Sequence, residues 1–107
     1  MKHTELASLT ADTAGLARAT PLFRESGLRG LLLHLNAGEQ IPEHQTKGAI
    51  SVQCLTGEAV FSCGSEQVTL RPASLVSLPP GAPHSVKANS DTVLMVTISE
   101  QIPTDGA

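Results

Sequence analysis

The chain has 107 residues, a formal net charge of −3 and neither Trp nor Tyr, so it can form one domain with an aliphatic core. Its seven Lys and Arg residues are scattered and it has only two Phe residues, which argues against nucleic acid as a partner. No apolar run reaches the ~18 residues of a membrane helix, and the N-terminus has no signal-peptide pattern. We therefore expect a cytoplasmic protein that does not enter a membrane.

Residues 1–20 form an N-terminal extension without firm periodicity, which fits a short strand, a helical turn or an arm. From residue 21 onward, Gly, Pro and Asn separate short runs rich in β-branched residues, a pattern typical of an all-β sandwich or barrel. We assign the β domain to residues 21–100. The predicted strands are 22–25, 28–35, 40–45, 49–55, 58–63, 67–70, 75–78, 84–88 and 93–98. The tail, residues 101–107, contains Pro103 and Gly106 and is predicted to be loose.

A two-residue turn at Thr56 and Gly57 predicts a hairpin between the fourth and fifth strands. One face of this hairpin is then entirely apolar, and the other is mostly polar, so a slip of one residue would mix the faces. The apolar face contains Ile50, Val52, Cys54, Ala59, Phe61 and Cys63. The register places Cys63 opposite Ile50 and away from Cys54, which argues against a disulfide between the two cysteines.

Two histidines follow turn-forming residues at characteristic spacings. Pro79, Gly81 and His84 form a Pro-x-Gly-x-x-His motif, whose stiff loop directs one imidazole to the start of a strand. Upstream, Gly38 precedes His44 by six residues, and Gly57 follows His44 by thirteen. Imidazole is the commonest metal ligand in proteins, so both histidines are candidates for a site.

These spacings resemble the two sequence signatures of the cupin superfamily, over about residues 28–98. The resemblance implies a double-stranded β-helix, which is a jelly-roll-like barrel of two antiparallel sheets, and a homodimer. It also implies a metal site of two His, one Glu and a last His. Here Thr46 occupies the second His position and Ile50 occupies the Glu position, so only His44 and His84 remain as candidate metal ligands.

Two histidines are fewer than the three protein ligands that Fe, Zn, Ni or Mn generally requires, so any divalent metal would be weakly held and completed by water. The predicted pocket contains His44, Thr46, Ile50, Cys63 and His84. Cys63 fits three roles: a small buried hydrophobe, which is how most free cysteines behave, a third ligand, or a redox group. By contrast, we expect His34 to face outward at the surface or in a dimer interface, because Leu31, Leu33 and Leu35 alternate with it.

Three functions remain open at this point. The first is a cupin that binds a small molecule in its barrel, with His44 and His84 lining the pocket and an incomplete metal site. The second is an enzyme, either a metal-dependent oxygenase, isomerase or lyase that uses these histidines plus water or Cys63, or a metal-free acid–base catalyst. The third is a structural or interaction module whose site has decayed. The sequence does not decide between them, because cupins host many unrelated activities.

Overall fold

A computed structural model describes residues 1–100, so the predicted tail at residues 101–107 lies outside the described residues. The described chain contains one short helix and nine strands. They are α1 (Leu6–Thr10), β1 (Ala19–Glu25), β2 (Leu28–Leu35), β3 (Gln40–His44), β4 (Ile50–Thr56), β5 (Ala59–Cys63), β6 (Glu66–Leu70), β7 (Leu75–Leu78), β8 (His84–Ala88) and β9 (Thr92–Ser99). All nine predicted strands are present, each with ends within three residues of the prediction. The one helix in this part of the chain is too short to cross a membrane.

The strands form two antiparallel sheets, which confirms the predicted all-β, jelly-roll-like barrel. Sheet A has five strands in the order β1-β2-β9-β4-β7, and sheet B has four in the order β3-β8-β5-β6. Alternate side chains of both sheets point into the space between them and form the main core. Leu35, Cys54, Ala59 and Leu94, for example, are almost completely buried there. Burial of a large aliphatic side chain such as Leu35 or Leu94 contributes about 1.5–3 kcal/mol.

The predicted hairpin between β4 and β5 is wrong. β4 pairs with β7 and β9 in sheet A, whereas β5 pairs with β6 and β8 in sheet B. The chain therefore crosses between sheets near Gly57, which has a φ of 82° and packs against the backbone of Asp91. The predicted apolar face does point inward from Ile50 to Phe61, since strand alternation determines which side chains are buried without determining which strands pair.

This crossing also separates Cys63 from Ile50, so their predicted opposition is wrong. Cys63 pairs with Glu66 on β6. Ile50 pairs with Leu78 on one side and with Ile98 on the other.

The N-terminal segment, residues 1–18, covers the outer face of sheet A. A second apolar cluster forms there, and it joins side chains of this segment to side chains of β1, β2 and β9. Its members include Leu6, Leu9 and Leu16 from the segment and Leu22, Leu32 and Val93 from the sheet.

His34 lies beneath this segment, so the prediction of a surface position for it is wrong. Its side chain does face away from the barrel core, but it is only 8% exposed because the segment covers it. Nδ1 lies 3.2 Å from the carbonyl oxygen of Leu16, and Nε2 lies 2.7 Å from Oδ1 of Asp91. The hydroxyl of Thr13 donates to the other carboxylate oxygen of Asp91 at 2.6 Å. The segment is therefore attached to the barrel by polar as well as apolar contacts.

Candidate functional site

A cavity of about 280 Å³ lies between the two sheets. Its walls are mostly aliphatic, and its polar side chains come from β2, β3, the loop after β3, and β8. These polar side chains are Arg29, His44, Thr46 and His84. Ile50 also lines the cavity, so the structure brings together four of the five residues that the sequence placed in the pocket.

His44 and His84 stand opposite each other on β3 and β8 because β3 contains a β-bulge. Ile41 pairs with Val86 and His44 pairs with His84, so β3 has two residues between these pairs where β8 has one. The two residues are Pro42 and Glu43. A bulge re-aims the side chain that follows it, and a proline without an N–H is compatible with that position. The extra residue therefore brings His44 onto the cavity side together with Ile41.

The two imidazoles are held in the same way. Nδ1 of His44 lies 3.0 Å from the carbonyl oxygen of Pro42, and Nδ1 of His84 lies 2.9 Å from that of Ala82. A carbonyl only accepts hydrogen bonds, so Nδ1 is the donor in each ring and Nε2 of the neutral ring is an acceptor. Neither Nε2 has a hydrogen-bond partner among the described residues.

The rings also contact each other and an aromatic neighbour. The centroids of His44 and His84 are 4.2 Å apart, with an angle of 62° between the ring planes. Phe61 on β5 stacks on His84 at a centroid distance of 5.7 Å and an angle of 15°. His84 is 5% exposed and Phe61 is 4% exposed, whereas His44 is exposed. Packing and hydrogen bonding thus fix His84, and His44 lies beside it at the open side of the cavity.

The two loops that carry the sequence motifs are joined at Thr46. The N–H of Gly81, in the loop before His84, donates to the carbonyl oxygen of Thr46 at 2.9 Å. The Thr46 hydroxyl donates to the carbonyl oxygen of Gly48 at 3.0 Å. Gly81 has a φ of 80°, a conformation that glycine adopts without strain. Thr46 therefore connects the loop after β3 to the loop before β8.

Arg29 is a cavity residue that the sequence interpretation missed. It lies on β2, where strand alternation places it on the same face as Leu31, Leu33 and Leu35. Its Nε is buried and has no hydrogen-bond partner among the described residues. The signal was present in the sequence, because extending the inward face from Leu31 back by two residues reaches Arg29.

A family model for the cupin domain matches residues 31–99. The chain belongs to the cupin family. No curated protein sequence matches this cupin significantly, whereas many solved structures share its fold.

Three solved structures illustrate this likeness. A cupin superfamily protein from Desulfitobacterium hafniense is 19% identical, with a TM-score of 0.80 over 94% of this chain and 92% of that chain. A protein from Thermus thermophilus is 28% identical, with a TM-score of 0.77 over 94% of this chain and 100% of that chain. The DMSP lyase DddQ from Ruegeria pomeroyi is 24% identical, with a TM-score of 0.72 over 81% of this chain and 48% of that chain. These similarities concern the fold and assign no activity to this cupin.

The side chains of this cupin do not fit the metal site that the sequence resemblance implied. His44 and His84 supply two nitrogen donors, but Thr46 offers a neutral hydroxyl that is already hydrogen-bonded, and Ile50 has no donor atom. Within residues 1–100, no group of three or more His, Cys, Asp or Glu side chains is placed to hold a metal ion. Transition metals are generally held by three or more protein ligands, so the cavity of this cupin lacks half of the expected ligand set.

Cys63 lies apart from the two histidines. It lines a separate cavity of about 170 Å³ between the edge strands β6 and β7, together with Val68 and Leu78. Phe61 borders both cavities. The other cysteine, Cys54, is completely buried, and this burial raises the pKa of its thiol.

Proposed function

We propose that this cupin binds a small organic molecule in the cavity between its sheets, with His44 and His84 as hydrogen-bonding anchors. The observation that carries this proposal is the pair of imidazoles whose Nδ1 atoms are bound to backbone carbonyls while neither Nε2 atom has a partner within residues 1–100. A few polar groups held in fixed positions beside an apolar wall are the usual composition of a ligand site.

The size and lining of the cavity support a small ligand. Pockets for drug-sized ligands measure roughly 300–1,000 Å³, and this cavity has about 280 Å³. Its aliphatic walls would contribute affinity through apolar burial, at about 25 cal/mol per Å². The free Nε2 atoms would select a ligand that carries a hydroxyl or amino donor.

Phenol is a suitable first probe, because it combines an apolar ring with one hydroxyl donor. We expect phenol to shift the amide resonances of cavity residues in isotopically labelled protein, and anisole, which has no donor, to bind more weakly. Phenol has a single donor, so whichever of His44→Ala and His84→Ala removes its acceptor should weaken phenol binding by about tenfold, the usual scale of one lost hydrogen bond. His3→Ala is the matched control, because His3 is exposed and lies outside the cavity.

A variant that fills the cavity provides an independent test. Leu33 lines the cavity, and Leu33→Phe should reduce phenol binding while leaving both histidines in place. Phenol that binds wild type and this variant equally, or that shifts resonances only outside the cavity, would contradict the proposal.

The alternative function is a metal-dependent enzyme that uses His44 and His84 plus water. One observation favours it: a carbonyl that holds Nδ1 and frees Nε2 is also how proteins orient histidine ligands of metals. Metal analysis of protein purified without a nickel column separates the two functions. Stoichiometric Fe, Zn, Ni or Mn that is lost in both His44→Ala and His84→Ala would replace our proposal with this alternative.

The homodimer implied by the sequence resemblance stays a prediction. Sedimentation at micromolar concentration tests it, and a single monomeric species would contradict it. The third hypothesis, a structural or interaction module, predicts instead that partner binding is unchanged after both histidines are replaced.

A further inference from the structure

We infer that the ligand of the cavity is a small carboxylate and that Arg29 binds its carboxyl group. This inference rests on the proposed function, since it specifies the chemical class of the molecule that the cavity holds. It is carried by an arginine that lines the cavity and has a buried N–H without a hydrogen-bond partner in the described part of the chain.

The state of Arg29 is unusual for a charged side chain. Buried N–H groups are nearly always hydrogen-bonded, and those of a charged group most of all. Yet Nε of Arg29 is buried without a partner, and none of the ion pairs found among the described residues includes Arg29. A guanidinium presents its N–H groups as a planar fork that matches the two oxygens of a carboxylate. A carboxylate bound in the cavity would therefore offer this guanidinium acceptors that the described residues do not supply to it as an ion pair.

The neighbours of Arg29 favour an anion. Among the described residues, no Asp or Glu side chain lines the cavity. Lys47 lies with Arg29 around an adjoining groove at the cavity edge and adds positive charge there. Glu100 also borders that groove, but its Oε1 is paired with Nε of Arg24 at 3.2 Å. The acidic group of this groove is thus already paired with a different arginine, which favours a positive potential at Arg29.

Different polar groups of the cavity would then contact different parts of the ligand. Arg29 donates to a carboxylate, whereas the free Nε2 atoms of His44 and His84 accept from a hydroxyl or amino group. The aliphatic side chains between them contact a short apolar body. A phosphate group is a poorer match, because phosphate sites typically combine several cationic groups or a series of backbone N–H donors.

Hexanoate and hexanamide form a pair of probes of the same size and shape, of which only hexanoate is charged and only hexanamide carries N–H donors. We expect hexanoate to bind wild type at least about tenfold more tightly than hexanamide, as measured by amide shifts of cavity residues. Arg29→Gln should remove this preference so that the two probes bind alike. Arg29→Lys should retain part of it, because the charge remains while the planar fork is lost.

Arg71→Gln is the matched control for the loss of one positive charge. Arg71 is exposed and paired with Glu58 outside the cavity. Hexanoate should bind this variant as it binds wild type. An equal loss of hexanoate binding in Arg71→Gln and Arg29→Gln would overturn the inference, because it would show a response to net charge alone.

The outcomes also separate this inference from the proposed function. If hexanamide binds wild type as tightly as hexanoate, the carboxylate inference fails and small-molecule binding stands. If neither probe binds at millimolar concentration and phenol does not bind either, both fail. If inorganic phosphate displaces hexanoate and binds more tightly, the ligand class is wrong and the cationic site stands.

Discussion

His44 lies directly opposite His84 across β3 and β8, although regular pairing from Ile41 would place Glu43 there. The bulge at Pro42 and Glu43 makes this difference, and the carbonyl of Pro42 also holds the His44 ring. One extra residue in β3 therefore supplies both the position and the orientation of the second imidazole. The two imidazoles thus occupy two of the four ligand positions that the cupin resemblance implies, while Thr46 and Ile50 occupy the other two and supply neither His nor Glu.

We predict that Thr46→His combined with Ile50→Glu creates a divalent metal site. Both positions line the cavity with His44 and His84, and the change supplies the two missing ligand types. The variant should bind Zn²⁺ at least about a hundredfold more tightly than wild type in calorimetric titration.

The same variant should be less stable without metal, because it buries a carboxylate where Ile50 is 5% exposed. We expect a loss on the order of 3 kcal/mol in the free energy of unfolding, and recovery of it on adding Zn²⁺. Thr46→His alone supplies a third ligand without a buried carboxylate, so it should bind Zn²⁺ with intermediate affinity and lose little stability. Equal Zn²⁺ affinity in wild type and the double variant would refute this account of the missing ligands.

The second prediction compares two glycines of the first sequence signature. Gly38 and Gly57 have φ angles of 86° and 82°, but a Cβ at Gly38 would meet nothing within 4 Å. A Cβ at Gly57 would collide with the carbonyl oxygen of Asp91 and with Thr92. Gly38→Ala should therefore lower the free energy of unfolding by about 1 kcal/mol, the cost of backbone strain alone. Gly57→Ala should lower it by several times as much in chemical denaturation, and equal losses would contradict this packing argument.

The third prediction concerns pH. The hydrogen bond to Asp91 is the main factor that raises the pKa of His34, with the Leu16 carbonyl and the charges of Asp91 and Glu39 acting in the same direction against burial. The pKa of Asp91 is lowered, first by the Thr13 hydroxyl and then by His34. Both ring nitrogens of His34 face acceptors, so both bonds form only when the ring is protonated.

The directions of the His34 and Asp91 pKa shifts determine how stability changes with pH. A raised folded-state pKa means that the His34 contribution is complete below about pH 6.5 and disappears as pH rises through the folded value. The Asp91 contribution is complete above about pH 4 and is lost as pH falls through its lowered value. The N-terminal segment is thus attached most firmly between these limits.

Chemical denaturation at two pH values tests this directly. Wild type should be less stable at about pH 8.5 than at about pH 5.5, and His34→Gln should show a smaller difference. His3→Gln should behave as wild type does, because His3 is exposed. If His34→Gln keeps the full difference, the pH dependence arises elsewhere.

The fourth prediction separates the two cysteines. Cys54 is fully buried with a raised thiol pKa, whereas Cys63 is partly exposed beside a different cavity from the histidines. A thiol reagent should therefore modify one cysteine in the native protein and both after unfolding. Cys63→Ser should bind phenol and hexanoate as wild type does, and a loss of that binding would place Cys63 back in the ligand site.

Local patterns were sufficient for the strands and for His84. Alternation in β4 and β5 predicted that Val52 and Phe61 are buried, and the stiff loop of Pro79 and Gly81 predicted a directed imidazole. Alternation along β2 also indicates that Arg29, two residues before Leu31, faces inward. These features depend on neighbouring residues in the chain, so they can be predicted from the sequence.

Features that depend on distant contacts were not predictable in the same way. Thr56 and Gly57 have the local pattern of a hairpin turn, but β4 pairs with β9 and β7, so the predicted pairing of β4 with β5 is wrong. His34 is buried by a segment that has no clear periodicity of its own. The orientation of His44 depends on a bulge, and only the presence of Pro42 hints at it.

The position of β9 has a consequence for how the chain reaches this structure. β9 lies between β2 and β4 in sheet A, yet it is the last strand of the described chain, and β2 ends at Leu35 while β9 begins at Thr92. Until β9 is in place, the β1–β2 pair and the β4–β7 pair have no common neighbour, and each exposes an unpaired edge. Such long-range pairing slows folding and leaves edges open to association. A nascent chain on the ribosome can therefore close its barrel only after residue 99 has emerged.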